Sequence, residues 1–149
     1  MLFKIVSVLV GVFVFFQVIP YGEKTNPAVD KKLEIKVPQK TMKIFHRSCY
    51  DCHSDETKWP WYSYIAPVSW SVSDHVVQGR RALNFSMWQN YSQEQKQKLK
   101  KGIYRTVKHV MPLSQYTFMH SDAKLSKNDI KNIQNWASDG KGFMQIDIR

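Results

Sequence analysis

The feature that most constrains this chain is a five-residue string, "CYDCH", at residues 49–53. It holds the only two cysteines among 149 residues, and a histidine follows the second at once. Four chemistries compete for it. A thioredoxin-like redox pair expects a preceding strand and a βαβ context, and "QKTMKIFHR" does not read as a buried strand. A tetrahedral zinc site needs four ligands. Cys49, Cys52, His53 and His46 are close in sequence, but an adjacent Cys and His suit one metal poorly, and no second ligand pair lies at finger spacing. A structural disulfide or two free thiols would leave His53 unexplained. The reading favoured by the pattern is covalent attachment of haem c, for which C-x-x-C-H is the known spacing. Two thioether bonds must reach the two vinyl groups on one porphyrin edge. The next residue then lies beneath the ring, where its imidazole can bind iron.

The N-terminus bears on compartment. "MLFKIVSVLVGVFVFFQVIPYGEK" is apolar from Ile5 to Ile19 apart from Ser7, Gly11 and Gln17. A membrane-spanning helix needs about 20 mostly apolar residues, and Leu2-Phe3 with Pro20-Tyr21 bring the run to that length. No Ala-x-Ala cleavage pattern follows it. Residues 1–21 are therefore expected to form an uncleaved signal-anchor, with cleavage and release as the alternative. A short N-terminus before a long domain directs the remainder out of the cytoplasm. The expectation is a single-pass inner-membrane protein whose domain is periplasmic. Residues 22–37 read as a polar tether, and residues 38–149 as the haem-carrying domain.

Helical periodicity runs through that domain. Pro38 suits a first helical turn, and Met42, Phe45, Cys49 and Cys52 then share one face. "DETKWPWYSYIAP" reads as an ordered loop. "VSWSVSDHVVQGRRAL" reads as a helix with Val68, Val72 and Val76 on one stripe, and "NFSMWQN" as a turn. "SQEQKQKLKKGIYRTVKHV" is the clearest helix. Ser92 and Gln95 make a capping box, and Leu99, Ile103 and Val107 recur every four residues. Gly102 within it either admits a close neighbour or has no role. "MPLSQYTFMHSDAK" reads as a loop. A last helix carries Ser126 as cap, Ile130, Ile133 and Trp136 or Ala137 inward, and Gly140 as terminator. No alternating strand pattern is present, so the fold class is all-α.

A net charge of +10 favours acidic partners or anionic surfaces. The basic residues are dispersed, with doublets at Lys31-Lys32, Arg80-Arg81 and Lys100-Lys101. No helix-turn-helix, finger spacing or RNA-binding aromatic motif accompanies them, which argues against nucleic acid. Acidic redox proteins are the expected partners.

With His53 on one face of the iron, the other face needs a ligand. Met111 ends the longest helix and precedes a proline that stops it, which presents the sulfur at a defined place. Met/His ligation raises the reduction potential. Met119, His120, His75 and His109 are the alternatives. Met42, Met87 and Met144 read as packing residues, and His46 as exposed.

Several blocks together resemble a known family. Cys49 to His53, Met111-Pro112 and the helix Leu125–Ser138 follow the order of class I cytochromes c. More closely, "CYDCHSDETKWPWYSYIAPVSW", "GRRALNFSMW", "MPLSQYTFMHSDAKLS" and "IQNWA" look like the bacterial haem-binding domain family of membrane-anchored c-type haemoproteins. The resemblance covers roughly residues 37–137. It implies a cytochrome c-like helical domain around one haem, attached at Cys49 and Cys52, with His53 proximal and Met111 distal. It also implies a proline carbonyl, of Pro67 or else Pro60, accepting the His53 N–H. Trp59, Trp61, Arg80 and Arg81 become candidates around the propionates.

The function expected from these features is one-electron transfer at the outer face of the membrane rather than an enzymatic reaction. A haem sensor or small-ligand binder would need a weak sixth ligand. A peroxidase would need an open distal face with an acid/base and an arginine, and the single haem motif sets the chain apart from di-haem peroxidases.

Overall fold

The computed structural model describes residues 1–140, so Met144 lies outside the described residues. Seven α-helices follow in order: α1 (Leu2–Gln17), α2 (Gln39–Ser48), α3 (Tyr50–His53), α4 (Val68–Ala82), α5 (Gln93–Thr106), α6 (Ser114–Met119) and α7 (Lys127–Ala137). Short 3-10 segments occupy Trp61–Tyr64, Phe85–Asn90 and Ser121–Ala123. There is no strand among the described residues.

The expected helix starts hold. Ser92 and Ser126 each accept a bond from the third helical residue, Gln95 or Asp129, whose side chain reaches back to the cap N–H. Such caps contribute about 1 kcal/mol each. Pro38 stands just before α2 rather than inside it, and its carbonyl accepts the Met42 N–H. The backbone breaks between α2 and α3 at Cys49, whose φ is −133°. The motif therefore sits on a short helix of its own, aimed differently from α2.

One side of that helix faces an aromatic core. The Phe45 ring stacks on Phe85 with centroids 4.7 Å apart and meets Trp136 edge-on at 5.3 Å. Tyr50 also stacks on Phe85, with centroids 5.5 Å apart. Ile103 and Val107 from α5 and Ile133 from α7 complete the cluster. Burying one such side chain stabilises by roughly 1.5–3 kcal/mol, so the α2–α5–α7 packing is the foundation on which the motif stands. The segment "NFSMWQN", read as a plain turn, places Phe85 and Trp88 in this core. Gly102 has open space around it, so close approach does not explain it.

In the N-terminal region one expectation goes unsupported and another needs correction. First, α1 has sixteen residues, and at 1.5 Å per residue it falls short of a hydrocarbon core about 30 Å thick. Among the described residues no helix is long and apolar enough to cross a membrane. Second, residues 22–37 are not a loose tether but a strap bound to the domain. Ile35 is buried in the core, its N–H donates to the Phe85 carbonyl, and the Gln89 N–H donates to the Leu33 carbonyl. Polar composition concealed one deeply buried isoleucine and a set of backbone bonds.

The end of α1 is also fixed. The Gln17 amide donates to the Ala66 carbonyl and accepts the Ala66 N–H. Phe16 meets Trp70 edge-on at 5.6 Å, and Tyr21 packs on the same indole.

Candidate functional site

Beside α3 lies a cavity of about 560 Å3, within the roughly 300–1,000 Å3 usual for small-molecule and cofactor sites. Cys49 at the cap of α3 lines it together with Cys52 and His53 from that helix, and Met111 and Met119 line it from the segment after α5. The expected stripe Val68, Val72 and Val76 forms its wall on α4, together with His75. The helical period that predicted α4 thus also lined a cavity, because a stripe facing a ligand space and one facing a core look alike in sequence.

His53 is held by backbone. Its Nδ1 lies 3.0 Å from the Gly79 carbonyl oxygen and 3.1 Å from that of Leu83. Carbonyls only accept, so Nδ1 carries the proton and Nε2 keeps its lone pair. Burial holds the imidazole pKa below its ordinary value, against the pull of those two carbonyls. The result is a neutral, oriented imidazole with one nitrogen free to bind a metal, the arrangement that carbonyl partners impose on metal-binding histidines.

The carbonyl expected from proline is not the one found. The Pro67 carbonyl accepts the Trp70 N–H and that of Pro60 accepts the Ser63 N–H. Both are occupied by the turns that start α4 and the preceding 3-10 segment. Pro67 does not line the cavity, although Pro60 does. Sequence reasoning missed Gly79. Its signal was a glycine inside a strong helical pattern, which often marks a packing need. A side chain there would collide with the Cys52 carbonyl. Only the bare glycine lets α4 lie against α3 and bring its carbonyl to His53.

Both thiols are free, and burial pushes their pKa up, Cys49 to about 12 and Cys52 to about 11. They stay protonated at neutral pH and are not activated nucleophiles of the redox type.

The remaining candidates separate clearly. His109 is exposed and does not line the cavity. His120 is engaged elsewhere, its Nε2 2.7 Å from the Tyr62 hydroxyl. His46 is exposed, as expected. Met42 packs on the core, whereas Met87 is more than a third exposed. Trp61 lines the cavity mouth and Trp59 does not, although the Trp59 Nε1 is buried without a partner. Arg80 is committed to structure: it donates to the carbonyls of Ser54 and Thr25 and to the side chains of Asn26 and Thr57. A half-buried guanidinium needs such acceptors, so Arg80 pins the strap to the loop after the motif. Arg81 is exposed and lies outside the cavity lining.

The region read as the loop "MPLSQYTFMHSDAK" contains α6. On it, Tyr116 donates to the Asp51 carboxylate at 2.7 Å. Asp51 stands between the two cysteines, and neither residue carries a signal in the sequence that marks this pairing.

The family model described as a haem-binding domain matches residues 11–139. No curated protein and no solved structure matches this chain.

Proposed function

Because the chain belongs to the haem-binding domain family, we propose that it carries one haem c, joined through Cys49 and Cys52, and passes single electrons at the outer, periplasmic face of the membrane. The observation that carries this reading is the convergence on one cavity of two protonated thiols, a neutral His53 with Nδ1 tied back, and Met111. The residues present fit the group: soft sulfur and imidazole donors line one largely apolar space. When bound, the haem supplies an iron that changes between ferrous and ferric states.

The chain's own residues do the rest. Cys49 and Cys52 would hold the group through thioether bonds, an addition of S–H to each vinyl that needs no oxidant or reductant. His53 would hold the iron through Nε2, its ring fixed by the Gly79 and Leu83 carbonyls. Met111, which lines the same cavity, would supply a thioether as second ligand, and such ligation favours the reduced state. The valines of α4 keep water from the ring. With two protein ligands on the iron, one-electron change would need little rearrangement.

Attachment to the membrane is through α1. Its large apolar side chains are exposed almost throughout, and Lys4 is its only charged residue. An all-round apolar helix outside a core is at home in lipid. The basic surface steers acidic redox partners.

A small-ligand binder is the second reading, favoured by one feature: α6 contributes no buried side chain, so the segment after Met111 is held by few contacts. The deciding experiment is a denaturing gel stained for haem, with intact mass, on protein matured in a host competent for haem c. Retained haem with a mass increased by one haem is expected. The bare chain mass removes the reading.

A further inference from the structure

The segment that follows Met111 is held by polar contacts rather than by burial. α6 has no buried residue, and Val110, Phe118 and Met119 around it are exposed. Two ties connect it to the body of the domain. The Tyr116 hydroxyl donates to Asp51 at 2.7 Å, and His120 meets the Tyr62 hydroxyl at 2.7 Å. Tyr116 and His120 stack with centroids 4.5 Å apart, so the two ties form one unit. Asp51 is rigidly placed: its other carboxylate oxygen accepts the Lys58 N–H, and its carbonyl accepts the Thr57 hydroxyl.

We propose that the Asp51–Tyr116 hydrogen bond is a clasp, in which a carboxylate inside the cysteine motif holds down the helix after Met111-Pro112, making Tyr116 a positioning residue for the Met111 sulfur. The inference rests on the haem reading above. The motif that would hold the haem also secures the segment after Met111, through Asp51 between its two cysteines. A hydrogen bond to a charged acceptor is among the stronger ones. Elements with little buried surface open locally at low cost, so the clasp sets how often the distal side opens. It thereby decides between an electron carrier and a protein that admits small ligands.

The test uses the full chain loaded with haem, in the forms Tyr116→Phe and Asp51→Asn. Tyr116→Phe keeps the ring stack and removes only the donor. It should raise the rate of carbon monoxide binding to the ferrous protein about tenfold and weaken the ferric sulfur-to-iron absorption, with unchanged helical content. Asp51→Asn keeps an acceptor oxygen and should fall between the parent and Tyr116→Phe. Wild-type rates and spectra in Tyr116→Phe overturn the clasp while leaving the haem reading intact. A wild-type protein that holds no haem overturns the haem reading instead. If Tyr116→Phe fails to load haem, amide exchange in the apoprotein decides. Residues 114–119 should exchange about tenfold faster with α5 and α7 unchanged, and equal exchange overturns the proposal.

Discussion

The His53 Nδ1 lies 3.0 Å from the carbonyl oxygen of Gly79, a residue whose lack of a side chain is what allows the approach. In a helix, replacing Gly by Ala ordinarily stabilises by up to about 1 kcal/mol. Here the new Cβ would meet the Cys52 carbonyl carbon at 2.9 Å, and backbone gives way poorly. Gly79→Ala is expected to destabilise the domain by about 1–3 kcal/mol, read as a lower thermal midpoint. An unchanged or higher midpoint would show that α4 moves away freely.

Met111→Ala removes a thioether from the lining of the cavity that the motif also lines. The expected result is loss of the low-spin methionine–iron spectrum, a lower reduction potential and fast carbon monoxide binding. An unchanged spectrum would transfer the sixth position to His75 or Met119, which line the same cavity.

Lipid association should depend on α1 alone. Val8→Asp with Val12→Asp, at two exposed positions, costs roughly 2.5–3.5 kcal/mol per charge in a hydrocarbon setting. Co-sedimentation with lipid vesicles is expected to fall more than tenfold, with haem content unaffected. Undiminished sedimentation would reject α1 as the attachment.

Asp129 gives a pH signature. Burial pulls its carboxyl pKa up, but the Ser126 N–H and hydroxyl and the Arg47 guanidinium together hold it below the ordinary value. The unfolded group takes a proton first as pH falls below about 4. Its contribution is therefore complete above that point and is lost as pH drops through the lower, folded value. Asp129→Asn should be less stable than the parent by about 1 kcal/mol at neutral pH. The gap should close below about pH 4 in denaturant titrations at several pH values. A gap independent of pH would assign the effect to shape rather than charge.

Local features are legible in the residues themselves. The capping boxes at Ser92 and Ser126, the inward Ile103, Val107 and Ile133, and the valine stripe of α4 all follow from periods and side-chain chemistry within a few residues. The pattern misleads where a residue's role depends on something distant. Ile35 sits in a polar stretch and is buried by Phe85, fifty residues on. Arg80 has the composition of a surface cation but is enclosed by the strap and the post-motif loop. Tyr116 has no helical stripe to mark it, and its partner stands far upstream in the motif.

By itself the sequence determined the helical, strand-free character of the described residues, the C-x-x-C-H string and the helices that flank it, because cap, period and thiol spacing act over one or two turns. The tertiary structure decided which carbonyls hold His53, that residues 22–37 lie down on the domain, and what secures the segment after Met111. Those are matters of which distant backbone and side-chain groups come within hydrogen-bonding reach, and a linear pattern carries no coordinate for that.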